Sequence, residues 1–155
     1  MEWHRDRFTV TDDQARMDVD AICRLVWSTY WAADRPTDAI RASLRNSLAF
    51  ALLDDGKQIG IARVVTDRAT VGYLCDVVIS DDYRAQGLGK WFLTCIFAHP
   101  DLEHCRIDLF TKDAQDFYRA FGFGPHRYTS MVRYPAGKEP SQDRAPDGFT
   151  APLAP

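Results

Sequence analysis

The sequence predicts an α/β (α+β) fold, in which a mixed, mostly antiparallel central sheet carries helices on both faces. Three apolar runs follow one another between residues 48 and 79, and the residues Asp-Asp-Gly-Lys separate the first two. An Asp-Gly pair between apolar runs is a strong signal for a β-hairpin. Segments with apolar residues at helical spacing lie on both sides of this region. The middle of the chain should therefore be an antiparallel meander that helices cover.

The first third of the chain predicts one strand and two helices. Residues 8–13, FTVTDD, have the composition of a short strand. Apolar side chains then recur at the spacing of a helix of about three turns, at Val19, Ile22, Cys23, Val26, Trp27 and Tyr30. Pro36 interrupts this pattern. Thr37 can cap a second helix that runs to about Asn46, with Asp38 in its first turn.

The later elements alternate between strand and helix. The run at 70–79 is apolar at both alternations, which is typical of a central strand buried on both faces. A glycine-containing turn then opens a helix with a strongly apolar face. A stop signal predicts that this helix ends at His99, and alternation predicts a strand at 105–112. Another helix should follow, with Asp113 as its cap and Gly122 at its end. Residues 126–134 should form the last strand.

The composition fits one domain and limits its partners. At 155 residues, with 46% hydrophobic and 26% charged residues, the chain is long enough for one sizeable core. We expect a single domain over 1–135 and a flexible tail over 136–155, where Pro, Gly and charged residues dominate. A net charge of −3 argues against nucleic acid or an anionic membrane as partner. The absence of a long apolar run and of a secretory signal predicts a cytoplasmic protein.

The cysteines and histidines predict neither disulfides nor a metal site. The four cysteines, Cys23, Cys75, Cys95 and Cys105, form no C-x-x-C pair, and no histidine stands at metal-ligand spacing from them. Each lies in an apolar segment, where a free cysteine behaves as a small hydrophobic residue. Buried reduced thiols are the favoured interpretation, and a nucleophilic cysteine is the alternative.

The stretch SDDYRAQGLGK at 80–90 predicts an anion site at the start of a helix. The first N–H groups of a helix lack internal partners and carry partial positive charge. Glycines let the backbone approach an anion closely, and Arg84 and Lys90 can add charge-assisted contacts. Taken alone, Gly87 and Gly89 could equally shape a tight turn. Neither a Walker A loop nor a dinucleotide-binding fingerprint fits the spacing.

Two motifs resemble the GNAT superfamily of acyl-CoA-dependent N-acyltransferases. RAQGLG matches that family's pyrophosphate loop, [RQ]-x-x-G-x-[GA], at Arg84, Gly87 and Gly89. DAQDFYRAFGF at 113–123 is similar to the family's A-x-x-[FL]-Y-x-x-x-G-F helix. The predicted element order over residues 8–134 is also the family's order. The resemblance implies a GNAT-like acyl-CoA N-acyltransferase fold with acetyl-CoA as acyl-donor substrate and no metal.

The resemblance also implies where acetyl-CoA would lie. The sheet should open between the strand at 70–79 and the strand at 105–112, with the pantetheine arm in the gap and the thioester near Tyr118. The residues implied to contact the donor are Val77, Val78 and Ile79 on the strand, Arg84, Ala85, Gln86, Gly87, Leu88, Gly89 and Lys90 in the loop, and Ala114 and Phe117 in the second motif.

Two residues are candidates for the chemistry. Tyr118 matches the position that this family often uses as an O–H donor to the departing thiolate, and its alternative is a packed core aromatic. Asp76 is a lone carboxylate in an apolar run, where an unpartnered charge is costly. It could relay the proton of the amine, or it could make a structural hydrogen bond to a neighbouring strand or loop. Cys75 stands where several polyamine-acetylating relatives carry Glu, which argues against a polyamine substrate.

The acceptor site is expected beside the first two helices. Trp27, Tyr30, Trp31 and Arg35 are candidate wall residues, and the alternative places Trp27 and Tyr30 in the core. The resemblance implies an enzyme that transfers acetyl to a primary amine by direct attack in a ternary complex. A non-catalytic acyl-CoA-binding module is the alternative function. The predicted partners are acetyl-CoA and an amine acceptor, and a homodimer is the oligomer implied by the relatives.

Overall fold

The computed structural model describes residues 1–127 and 129–134, which belong to two compact units. The first unit, Met1–Leu109, contains a six-stranded sheet and three α-helices. The second unit begins at Phe110 and contains a short fourth helix. The predicted tail at 136–155 lies outside the described residues.

The sheet follows the order of its strands in the chain. The strands are β1 Glu2–Arg5, β2 Phe8–Thr11, β3 Leu48–Asp54, β4 Lys57–Thr66, β5 Val71–Ile79 and β6 Arg106–Asp108. Neighbours from β1 to β5 are antiparallel, whereas β6 runs parallel to β5. The prediction of a mixed, mostly antiparallel sheet is therefore confirmed.

The predicted β3–β4 hairpin is present at the Asp-Gly pair. Asp55 has a φ of 45° and Gly56 a φ of 84°. Two consecutive residues with positive φ match the right-handed twist of paired strands, which is why Asp-Gly favours such a turn. The turn sets the register in which the two most buried strands of the sheet pair.

Helices of the first unit lie on both faces of the sheet, as predicted. Their bounds are α1 Val19–Trp27, α2 Thr37–Arg45, α3 Leu88–Phe97 and α4 Gln115–Arg119. Buried side chains of α1 and α2 form one core cluster with Ala49, Ile61 and Val78 of the sheet. On the opposite face, the Phe50 ring lies 5.6 Å from the ring of His99, directly after α3. No helix in the described part of the chain has the length and apolar character that crossing a bilayer requires.

Helix α1 ends at Trp27 and not near Tyr30, where the spacing of apolar residues placed its end. The next two residues stop the helix because their side chains compete for its last carbonyl groups. The Ser28 hydroxyl donates to the Leu25 carbonyl at 2.7 Å, and the Thr29 hydroxyl donates to the Val26 carbonyl at 2.6 Å. Such local side-chain bonds favour turns over further helix.

Two predicted helix caps are wrong. Thr37 is the first residue of α2, and Pro36 occupies the N-cap position with no side-chain cap bond, while Asp38 lies in the first turn as expected. Helix α4 begins after Ala114 and not at a cap formed by Asp113. There the Thr111 hydroxyl accepts a hydrogen bond from the Ala114 N–H at 3.0 Å. The N-cap thus lies one residue before the predicted position in α2 and one residue after it in α4.

Three strand predictions need correction. β5 is not buried on both faces, because Val71 and Tyr73 are 41% and 39% exposed and lie outside the core that α1 and α2 cover. The predicted strand at 105–112 pairs over Arg106–Asp108 only. The predicted last strand is absent from the described residues of 126–134, where Met131 is 93% exposed. A strand needs a paired neighbour to satisfy its backbone, and alternation in sequence does not provide one.

Candidate functional site

The sheet of the first unit opens between β5 and β6. The two strands pair only at Val71–Tyr73, opposite Arg106–Asp108. Beyond Tyr73, the edge of β5 that faces β6 has no partner strand in the described part of the chain. Unpaired strand edges present N–H and C=O groups that a ligand can use. Residues 74–79 of β5 are therefore without a described strand partner on the side where the opening was predicted.

The three strand residues predicted to contact the donor lie on this open edge. Val77 and Ile79 are half-buried, whereas Val78 is buried in the core cluster with α1 and α2. The side chain of Val78 thus serves packing, and only its backbone is available to a ligand. This distribution agrees with the expectation that backbone groups at 77–79 do the pairing.

A β-bulge within the open edge contains Asp76. Ile61 pairs with Val78 and Arg63 pairs with Cys75, so Ala62 faces two residues of β5. Asp76 is one of these two, and its φ is 53°. Aspartate tolerates this left-handed region better than most residues. The bulge directs the Asp76 carboxylate to the face of the sheet that carries Arg63.

Asp76 forms a buried cluster with two arginines. Its Oδ2 atom accepts hydrogen bonds from Arg63 Nε at 2.6 Å and from Arg35 Nη1 at 2.7 Å. Arg63 Nη1 also donates to the Ser47 hydroxyl at 3.3 Å. The Asp76 residue is 8% exposed. We call Arg35, Asp76 and Arg63 the arginine–aspartate cluster; it provides the structural hydrogen bonds that were one of the two interpretations of Asp76.

Arg63 is the member of this cluster that the sequence analysis missed. It interrupts the apolar run IARVV of β4 as Asp76 interrupts the apolar run of β5. Opposite charges in the interiors of two neighbouring strands would both be costly without a partner. The presence of one charged residue of each sign in two neighbouring apolar strands was the signal that could have predicted the pair of Arg63 and Asp76.

The predicted anion loop has the backbone geometry of an open cradle. Gly87 is the N-cap residue of α3 with a φ of 73°, and Ala85 has a φ of 59°. The first bond inside the helix runs from the Trp91 N–H to the Gly87 carbonyl, so the N–H groups of residues 88–90 precede the intrahelical bonds. No acidic residue lies in the first turn. A Cβ at Gly87 would meet nothing within 4 Å, so the space before the turn is open.

The side chains of the loop point largely to solvent. Leu88 is buried under the helix and Gly89 is half-buried, while the exposed loop residues are Arg84, Ala85, Gln86, Gly87 and Lys90. Arg84 pairs with Asp81 at 2.7 Å, and Gln86 Nε2 donates to the Asp82 carbonyl at 3.2 Å. Exposed ion pairs such as that of Arg84 are weak, so its guanidinium can turn to an anion at little cost.

The second unit carries Tyr118 on α4 among other aromatic rings. The Tyr118 ring lies 5.2 Å from the Phe117 ring and 5.9 Å from the Phe123 ring, both edge to face. Ala114, Phe117 and Tyr118 are all half-buried. Burial raises the pKa of the Tyr118 phenol, so the hydroxyl stays protonated and can donate a proton at neutral pH. The helix motif ends at Gly122, whose φ of 84° fits the predicted stop.

The cysteines are free thiols without the environment of a nucleophile. Cys75 is next to the arginine–aspartate cluster in sequence, yet burial raises the pKa of its thiol to about 11. Burial has the same effect on Cys95, also to about 11. The reactive form of cysteine is the thiolate, which these pKa values disfavour. Among residues 1–127 and 129–134, no group of three or more His, Cys, Asp and Glu side chains could hold a metal ion.

The aromatic residues after α1 form an exposed surface. Trp27, Tyr30 and Trp31 are 40%, 67% and 41% exposed. The alternative that placed Trp27 and Tyr30 in the core is therefore wrong. Arg35 joins this surface because its guanidinium carbon lies 5.6 Å from the centre of the Trp31 ring. The four predicted wall residues thus lie at the end of α1 and in the loop that follows it, and Arg35 connects them to the arginine–aspartate cluster.

Comparison with known proteins gives the same family from sequence and from fold. The description "Acetyltransferase (GNAT) domain" matches residues 45–125, from the end of α2 to just beyond Gly122. The chain is 33% identical over 111 residues to "Putative acetyltransferase FG08082" of Gibberella zeae, a match covering 59% of this chain and 63% of that protein. It therefore spans less than two thirds of that relative's length.

Two further relatives extend the likeness. The uncharacterised N-acetyltransferase ycf52 of Gracilaria tenuistipitata var. liui is 30% identical over 127 residues, covering 76% of this chain and 68% of that protein. A crystal structure of a GNAT-family protein from Xanthomonas campestris pv. campestris is 34% identical, with a TM-score of 0.80, covering 87% of this chain and 98% of that one. The open sheet edge, the glycine turn before α3 and these likenesses agree, and the chain belongs to the GNAT family of acetyltransferases.

Proposed function

We propose that the protein is an N-acetyltransferase that moves the acetyl group of acetyl-CoA to a primary amine. The observation that carries this proposal is the arrangement around β5. Its unpaired edge at 74–79 includes the bulge of Asp76 and leads, through residues 80–87, to the open turn of α3. An extended thioester arm with a diphosphate at one end needs these two features at the same strand.

The backbone would hold the donor. N–H and C=O groups of residues 77–79 would pair with the amide groups of the pantetheine arm. The N–H groups at the start of α3 would receive the diphosphate, with the helix dipole adding partial positive charge. Arg84 and Lys90 stand at the two ends of this turn and would add charge-assisted bonds. Gly87 would let the backbone approach the phosphates without a Cβ between them.

Acetyl-CoA supplies an acetyl group activated as a thioester: an amine nitrogen forms a bond to the carbonyl carbon, the C–S bond breaks, and its electron pair stays on sulfur, which takes up a proton. Tyr118 would donate that proton or a hydrogen bond to the sulfur, because its phenol is protonated at neutral pH. The proton lost by the nitrogen would leave through water. Asp76 would act as a positioning residue, since its Oδ2 atom already accepts from two guanidinium groups.

Transfer should occur directly in a ternary complex. We expect initial-velocity lines that intersect when both substrates are varied, because the thiol beside the site, that of Cys75, is held protonated by burial. Cys75→Ala should leave kcat within about twofold, since no covalent intermediate depends on it. Parallel lines, or an acetylated peptide containing residue 75 in mass spectra of protein treated with acetyl-CoA, would contradict this mechanism.

Gly87→Ala should weaken acetyl-CoA binding by about 10-fold or more. The new Cβ would fill the space that a phosphate needs and would remove about one charge-assisted hydrogen bond. An alanine at a φ of 73° also costs about 1–2 kcal/mol of folding free energy. Isothermal titration with acetyl-CoA measures the first effect and urea unfolding measures the second.

The matched control is Gly56→Ala in the β3–β4 hairpin. Gly56 has a φ of 84°, and a Cβ there would also meet nothing within 4 Å. Gly56→Ala should lower the free energy of unfolding by a similar amount and leave the affinity for acetyl-CoA unchanged. Equal affinity losses in both variants would mean that the Gly87 effect comes from general destabilisation and not from the cradle.

The function as a whole is tested in two steps. Acetyl-CoA should raise the melting temperature, because a ligand that binds only the folded state stabilises it, and longer acyl-CoAs would define the acyl preference. Thiol release should then appear with at least one member of an amine panel. Binding without thiol release from any amine would identify the non-catalytic acyl-CoA-binding module. The cytoplasmic location and the homodimer stay predictions, as does the absence of nucleic-acid and membrane partners.

A further inference from the structure

Arg35 has hydrogen-bonding capacity that residues 1–127 and 129–134 do not use. A guanidinium carries five N–H donors. Within the described residues, the Arg35 side chain makes one hydrogen bond, from Nη1 to Asp76 Oδ2 at 2.7 Å. Its side chain is 27% exposed, so its other N–H groups lie in a partly buried, water-accessible place. Such donors suit a ligand with acceptor oxygens.

The cluster has more positive than negative charge. Two guanidinium groups share one carboxylate oxygen, which gives the cluster a formal charge of +1. Arg63 is nearly buried, and its Nη1 also reaches the Ser47 hydroxyl and the Ser43 carbonyl, at 3.3 and 3.4 Å. The surplus charge is therefore accessible at Arg35. A buried or partly buried charge without a counterion is costly, and an anionic ligand would supply one.

The loop holds Arg35 in a fixed position. The Trp27 indole N–H donates to the Arg35 carbonyl at 2.8 Å, and the Arg35 N–H donates to the Ala32 carbonyl at 3.1 Å. The Trp31 ring lies 5.6 Å from the guanidinium carbon, a cation–π contact. Asp76 also holds the head group, at 2.7 Å from Nη1. A charged fork held in this way loses little conformational freedom when it binds.

The position of Arg35 connects it to the proposed reaction. Its partner Asp76 lies in the bulge within the open β5 edge, where the acyl end of the donor would lie. The hydrogen bond of 2.7 Å from Arg35 Nη1 to Asp76 Oδ2 places the guanidinium beside this stretch of β5. A group bound by Arg35 would thus be next to the amine that attacks.

We propose that the acceptor is a small amine that carries an anionic oxygen group, a carboxylate or a phosphate, and that Arg35 binds this group with its planar fork. The inference rests on the proposed function, since it specifies the acceptor of that same site. The exposed indoles of Trp27 and Trp31 would cover the carbon skeleton between the two groups. The positive cluster disfavours polyamines, in agreement with the cysteine at position 75.

The test compares matched acceptors in the thiol-release assay. One set contains L-amino acids, their amides and the corresponding decarboxylated amines; a second pairs phosphoethanolamine with ethanolamine. We expect kcat/KM to be about 10- to 100-fold higher for the anionic member of one set, the range of a charge-assisted bond. The set that shows the preference distinguishes carboxylate from phosphate. Equal rates for charged and neutral members would overturn the inference and leave acetyl transfer intact.

The variants Arg35→Gln and Arg35→Lys assign the preference to this side chain. Arg35→Gln should raise KM for anionic acceptors by about 10- to 100-fold, so that the charged and neutral members of the preferred set then react at similar kcat/KM. Arg35→Lys keeps the charge but loses the planar fork. Its KM for anionic acceptors should therefore lie between those of the wild type and of Arg35→Gln. Arg41→Gln is the control, because Arg41 pairs with the exposed Asp20 on the surface. An unchanged preference in Arg35→Gln would overturn the inference.

A binding measurement separates this inference from the proposed function. Titration of the preferred anionic acceptor into protein with CoA should give heat that Arg35→Gln abolishes, whether or not turnover occurs. The acetyl-CoA-induced rise in melting temperature should be unchanged in that variant, which shows that it folds and binds the donor. Anion binding without thiol release would overturn the proposed function and uphold the anion site, whereas thiol release without anion binding would do the reverse.

Discussion

Asp76→Ala should lower the free energy of unfolding by about 3–5 kcal/mol, the usual effect of removing one partner from a buried ion pair. The carboxylate lies between Arg35 and Arg63, and its Oδ2 atom accepts hydrogen bonds from them at 2.7 and 2.6 Å. Without it, the Arg63 guanidinium, whose side chain is 11% exposed, is left with two long bonds to Ser43 and Ser47. Urea unfolding should show a lower midpoint at an unchanged slope.

Asp20→Ala provides the matched control. Asp20 also pairs with an arginine, Arg41, at 3.1 Å, but its side chain is 76% exposed. Exposed pairs contribute little, so this variant should change stability by no more than about 0.5 kcal/mol. Added salt should weaken the surface pair and leave the effect of Asp76→Ala largely unchanged.

Asp76→Asn keeps the measurement informative if the alanine variant does not fold. The amide retains one acceptor oxygen and the shape of the side chain, while it removes the charge. We expect Asp76→Asn to lower the free energy of unfolding by more than the control Asp20→Ala and by less than Asp76→Ala. A loss below about 0.5 kcal/mol for both Asp76 variants would show that the cluster contributes nothing to stability.

The elements that sequence predicted well are those specified by local chemistry. The turn between β3 and β4 requires positive φ at two residues, which an Asp-Gly pair adopts readily, so the hairpin could be predicted from sequence. The same holds for the start of α3, where Gly87 supplies an N-cap in the left-handed region. The motif that contains this turn indicated the family. The resemblance to the family then implied that the sheet opens beside β5.

The features that sequence did not predict depend on contacts between distant residues. β1 pairs with β2 through a turn at Asp6 with a φ of 54°, and neither residue type nor spacing indicated it. His99 is 5% exposed, and its Nε2 lies 2.9 Å from Oδ2 of Asp12, 87 positions away. Such partners become visible only when the register of the strands is known.

The site was predictable in part for the same reason. The glycine loop and Tyr118 belong to contiguous motifs, whereas the arginine–aspartate cluster joins residues from a loop and two strands. The bulge at Asp76 is what brings them together, and a bulge adds one residue to a strand without altering its composition. The apolar run of β5 therefore predicted the strand. It did not predict that the Asp76 carboxylate points towards Arg63.

Tyr118→Phe should lower kcat by about 100-fold, the lower end of what a positioned general acid contributes. The substitution removes only the hydroxyl and keeps the ring that packs at 5.2 Å on Phe117 and at 5.9 Å on Phe123. Stability and the affinity for acetyl-CoA should therefore stay close to the wild type. If the proton is given only in the transition state, kcat and kcat/KM should fall by the same factor.

The pH profile provides a second reading of the same residue. Burial raises the pKa of Tyr118, and a proton donor acts only in its protonated form. The contribution of the hydroxyl should therefore persist through neutral pH and disappear as the pH rises through this raised pKa, above the usual value of about 10. The ratio of wild-type to Tyr118→Phe kcat should be constant between about pH 7 and 9 and decrease at higher pH.

Tyr134→Phe controls for the loss of a phenol hydroxyl elsewhere. Tyr134 is 43% exposed, and its variant should have wild-type kcat. Unchanged turnover in Tyr118→Phe would remove this residue from the mechanism, and proton delivery to sulfur would then fall to water. A parallel loss of acetyl-CoA affinity in Tyr118→Phe would instead assign the residue to binding, because an interaction present before the transition state does not lower kcat selectively.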